Sequence, residues 1–69
     1  MSLIKFLKPD GTYDLVAALK AQCADRIGKP AFDRAVDHID QIEELVPIRK
    51  PIVAEETFRV AVSIALSAA

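Results

Sequence analysis

The side chains best suited to chemistry gather around the single histidine, in Asp37-His38-Ile39-Asp40, with Asp33, Glu43 and Glu44 close by in sequence. Imidazole and carboxylate bind metals and move protons, but a helical metal site needs several of them on one face, as where Glu-x-x-His pairs meet carboxylates from neighbouring helices. Asp33 with Asp37, or Asp37 with Asp40 or Gln41, could hold a loose surface cation. Asp37, His38 and Asp40 thus mark the centre of one alternative reading, a weak metal- or ligand-binding helical protein. The Glu-x-x-His motif is absent and no second segment supplies a matching acid–histidine pair, so no metal and no cofactor is expected.

Covalent catalysis needs a nucleophile, a base and an orienting group within reach of one another. Cys23 is flanked at helical spacing by Leu19 and Ile27, a setting in which a thiol packs as a small hydrophobe. Ser63 and Ser67 have no histidine near them in sequence. Gly11 and Gly28, the only glycines, read as turn and cap residues, so no phosphate-cradling loop exists, and neither does a Cys/His zinc spacing. No catalytic residue is assigned and no enzyme is expected.

The formal net charge of -1 disfavours general nucleic-acid binding, which draws its affinity from cations that displace phosphate counterions. The first two helical segments, joined through Gly28-Lys29-Pro30, have the outline of a helix-turn-helix. The second offers Asp33, Arg34 and Asp37 where a DNA reader needs Arg, Lys, Asn or Gln, so that role is excluded for it. A small nucleic-acid-binding regulator using the N-terminal basic segment, Lys5 and Lys8 with Arg49 and Lys50, is a further alternative.

These residues must be positioned by helices. Pro9-Asp10-Gly11 is a turn signal: proline presets its φ, Asp10 can bond back to the backbone and Gly11 tolerates positive φ. Residues 1–12 read as an extended arm or short strand and turn, and Thr12 as the cap of the helix that follows. Residues 12–15 could instead pair back as a hairpin, which is marginal without a helix to cover it. The first helix is predicted over 13–27, with Leu15, Val16, Leu19, Cys23 and Ile27 on one face and Gly28 as a left-handed cap. The second, over 31–45, opens at Pro30. It carries an apolar stripe from Phe32 through Ala35, Val36, Ile39, Ile42 and Val46, against an acidic surface of Asp33, Asp37, Asp40 and Glu44. Between Pro47 and Pro51 the chain should be extended, and it is too apolar to be a bare linker. The third helix, over 53–67, is apolar on most sides, with Glu55, Arg59, Ser63 and Ser67 as one narrow polar stripe. The fold class is mainly α: a single domain over 1–69, a small three-helix bundle with an N-terminal extended arm or short β-strand and turn.

A 69-residue chain with one cysteine has no intramolecular disulfide to hold it. So small a domain buries only about 60% of the surface its unfolded chain exposes, and such domains often gain burial by self-association. The 52% hydrophobic content excludes disorder as the default and suits that route. The expected function is therefore a non-enzymatic protein–protein interaction or assembly module, a homo-oligomer joined through the third helix at Phe58, Val62, Ala65 and Leu66. Ala61, Ala65, Ala68 and Ala69 would let another helix approach closely. Residues 30–46 carry a net charge of -4, which could meet a basic protein partner or keep an apolar chain in solution. No apolar run reaches the length of a bilayer span, no membrane partner is expected, and a single thiol fits a reducing cytoplasm.

Overall fold

A computed structural model describes residues 3–23 and 25–67. A 3-10 turn, Leu3–Phe6, is followed by three helices: α1 (Leu15–Cys23), α2 (Lys29–Leu45) and α3 (Pro51–Ser67). The mainly α, three-helix expectation holds, and no strand occurs among the described residues. Ala68 and Ala69 lie outside them.

The N-terminal arm is a compact device. Leu3 is buried, Leu7 and Tyr13 form an isolated antiparallel bridge, and the Gly11 N–H donates to the Lys8 carbonyl at 3.0 Å to close the turn. Gly11 adopts φ 90, as its place in the turn predicts. The competing readings of this stretch each hold in part: a one-bridge hairpin forms, and a helix begins immediately after it. Thr12 does not cap that helix. Its N–H and hydroxyl both donate to Asp10 Oδ1, at 2.9 and 2.6 Å. With Thr12 committed to the turn, Asp14 takes the role, and its carboxylate accepts the Ala17 N–H at 3.1 Å.

α1 ends at Cys23, four residues short of the predicted boundary. The chain turns through 25–28, the Arg26 N–H bonding the Cys23 carbonyl at 2.9 Å, so that Ile27 packs on the core beside Phe32. Gly28 is consequently no left-handed cap. It is extended (φ -75, ψ 164) and serves as the N-cap of α2, with Pro30 in the first turn, where its missing N–H costs nothing. α3 likewise starts two residues early, because Pro51 itself can occupy the first helical position.

The core is built from Leu15, Leu19, Ile39 and Ile48, each at most 1% exposed, with Cys23 among them. α2 packs most extensively on α3. The buried residues of the two helices include several small ones, Ala31 and Ala35 in α2 and Ala54, Ala61 and Ala65 in α3. Ala61 and Ala65, expected to admit a helix from another molecule, are fully buried within the chain itself. The connection between α2 and α3 is anchored as its apolar content required: Ile48 is buried and its carbonyl accepts the Tyr13 N–H at 2.9 Å.

Candidate interaction surface

Helix α2 presents its acids outward. Asp33, Asp37, Asp40 and Glu44 are all exposed, opposite the buried Ala35 and Ile39. Asp33 pairs with Lys29 Nζ at 3.0 Å, one helical turn back and well in solvent. His38 is half-buried on the flank of the same helix. Among the described residues no three His, Cys, Asp or Glu side chains converge on one point, so Asp37, His38 and Asp40 form no metal-binding cluster.

Cys23 is 2% exposed within the core, while Ser63 and Ser67 lie on the outer side of α3 with Glu55 and Arg59. The thiol is therefore in the core and the hydroxyls are at the surface.

Two carboxylates have perturbed protonation. Asp10 is held below the usual carboxylate range by the Thr12 hydroxyl, then by the Thr12 backbone N–H, with Lys8 and Arg49 adding attraction. Glu43 is pushed up by loss of hydration and by repulsion from Asp40 and Asp14, against the opposing pull of Lys8.

The residues expected to make a self-contact are divided by the fold. Phe58 (9% exposed) and Ala65 (0%) pack inside the chain, Val62 is half-buried, and Leu66 is exposed. Phe58 and Val62 line an open groove of about 360 Å³, with Leu3, Gln22, Glu55 and Arg59 completing it between α1 and α3. Arg59 is tethered across its own helix to Glu56 at 3.3 Å.

Other large apolar side chains are more open than any of these: Leu45 is 82% exposed, Ile52 75% and Ile4 66%. The sequence contains the signal for two of them. Leu45 falls off the Phe32–Ile42 stripe, and Ile52 falls at helical spacing among Glu55, Glu56, Arg59 and Ser63, on the polar side of α3. The apolar composition includes both, but their helical faces are polar.

Comparison of the chain with protein-family models, with curated proteins and with solved structures finds no match. Among the described residues no helix is long and apolar enough to cross a membrane.

Proposed function

We propose that this chain is a non-enzymatic module that associates with a second copy of itself, with α3 in the contact. The observation that carries this reading is the set of large apolar side chains left in water: Ile52, Val60 and Leu66 on α3, and Ile4, Leu7, Leu45 and Val46 elsewhere, each at least 40% exposed. An exposed apolar residue is ordinary, but a concentration of them on so small a domain is the usual mark of an interface. The interior contact of α3 accounts for Phe58, Ala61 and Ala65, and the outward residues of the same helix remain for a partner. The acidic surface of α2 would stay in solvent or meet a basic protein. A reducing cytoplasm suits the buried thiol.

The nucleic-acid alternative gains little support. Lys8 feels the attraction of the Asp10 and Glu43 carboxylates, and Arg49 donates from Nη1 to the Asp10 carbonyl at 2.8 Å, so acidic residues interrupt the basic ones.

Association couples stability to concentration. The melting temperature of the chain is expected to rise with protein concentration. A melting temperature independent of concentration, together with a monomeric mass, would overturn the reading.

A further inference from the structure

Residues 3–14 form an arm whose side chains, apart from the buried Leu3 and Tyr13, are exposed or half-buried. Several of its hydrogen bonds are internal: the Lys8 N–H donates to the Thr12 carbonyl at 2.7 Å, and the Asp14 N–H to the Phe6 carbonyl at 2.8 Å. Two others stitch it to the α2–α3 connection. The Tyr13 N–H reaches the Ile48 carbonyl at 2.9 Å, and Arg49 Nη1 reaches the Asp10 carbonyl at 2.8 Å. Asp10 is the centre of this second tie, since its carboxylate closes the turn through the Thr12 N–H and hydroxyl while its carbonyl receives Arg49. The helix that follows does not depend on the arm for its cap, because Asp14 supplies that to Ala17 directly.

Leu3 stands between two cavities. It lines the groove of about 360 Å³ with Phe58 and Val62, and also a smaller cavity of about 170 Å³ with Ile4, Tyr13 and Pro51. Glu55 borders both as well but is exposed, so Leu3 is the buried part of the wall that divides them.

A segment with its own hydrogen bonds, two buried anchors and little else in the core is the kind of unit that opens below the free energy of global unfolding. We infer that the arm is a strap that opens as a unit while the three helices stay folded, with the Asp10–Thr12–Arg49 cluster as its clasp and Leu3 as the plug whose withdrawal joins the two cavities beside Phe58. The charged groups facing the Asp10 carboxylate are Lys8 from the arm and Arg49 from the connection, and Glu43 of α2 faces Lys8 and Asp14. Both cations favour ionised Asp10, so the clasp is firm at neutral pH and loosens as pH falls through the depressed folded value. The device goes beyond the self-association proposed above and does not require it.

The test is native-state amide hydrogen exchange on the full chain and on Arg49→Met and Thr12→Val, with circular dichroism to confirm retained helicity. In the parent, the Lys8, Tyr13 and Asp14 amides are expected to be at least about tenfold less protected than Ile39, buried in α2. Each variant should lower arm protection by about tenfold further and leave Ile39 nearly unchanged. Equal protection of arm and Ile39, or equal loss in the variants, would overturn the strap, since the arm would then unfold only with the helices. Arm protection unaltered in both variants would overturn the clasp. Tyr13 is the only tyrosine of a chain without tryptophan, and its fluorescence gives a check on the parent alone: it should change at lower urea than helicity does, and coincident transitions would overturn the strap. Anilinonaphthalene sulfonate should fluoresce at least about twofold more strongly with Arg49→Met than with the parent; no gain at equal helicity would overturn the role of Leu3.

Discussion

Gly11 is the residue at which local geometry is most demanding. Its φ of 90 is unfavourable for any side chain, and a Cβ there would stand 3.3 Å from Arg49 Nη1. Gly11→Ala is expected to destabilise the fold by about 1–2 kcal/mol, the cost of left-handed geometry in a residue with a Cβ. The displaced Arg49 would also loosen its bond to the Asp10 carbonyl; chemical denaturation measures the sum. Glu43 has the opposite character, a residue whose charge is a burden in the folded state. Its folded pKa is raised by lost hydration and by its acidic neighbours, so ionisation favours the unfolded chain. The burden is present at neutral pH and disappears as pH falls below the range in which a free glutamate titrates. Glu43→Gln should therefore raise the melting temperature slightly at pH 7 and leave it unchanged in acid. Asp10 runs the other way: its depressed pKa contributes stability at neutral pH that is lost as pH falls through the folded value. Thermal melts of parent and Glu43→Gln across this range separate the two carboxylates.

The buried side of α3 is rich in alanine, at Ala54, Ala61 and Ala65. Ala61 is completely buried, so Ala61→Leu must overfill the core, at an expected cost of about 1–3 kcal/mol. Ser63→Ala, on the solvent side of the same helix, should be close to neutral. The connection between α2 and α3 acts as a third packing element through Ile48. Ile48→Ala is expected to cost about 2–5 kcal/mol by urea unfolding, in the range of buried isoleucine truncations. At this scale the sequence was readable where side-chain periodicity and proline chemistry decide the outcome. The stripe from Phe32 to Ile42, the acidic side of α2, the polar stripe of α3 and the packed 47–51 segment all follow from residue type and spacing. The misread positions are those where tertiary contact chose between two locally acceptable states. Thr12 and Asp14 are both good caps, and the Asp10 carboxylate settled the choice. Gly28 suits either end of a helix, and the packing of Ile27 near Phe32 made it the start of α2. The orientation of Ala61 and Ala65 was ambiguous for the same reason, since a small residue admits a helix from its own chain as readily as one from another.

For the molecule as a whole, the radius of gyration of 11.2 Å is that of a well-packed chain of this length, for which about 11 Å is expected. The excess of apolar residues is thus no sign of a loose interior. It remains on the outside, concentrated where the arm and the α2–α3 connection converge. The interface residues anticipated from composition were partly displaced by this outcome: Phe58 and Ala65 are used within the fold, Leu66 is left on the surface, and Leu45, Ile52 and Ile4 are more exposed still. That redistribution was hidden in the sequence because it depends on which flank of each helix meets its neighbours.

The most direct measurement is the mass of the chain in solution by light scattering over a wide concentration range. The account expects a mass that rises to at least twice 7.5 kDa. A mass that stays at 7.5 kDa at every concentration would contradict it.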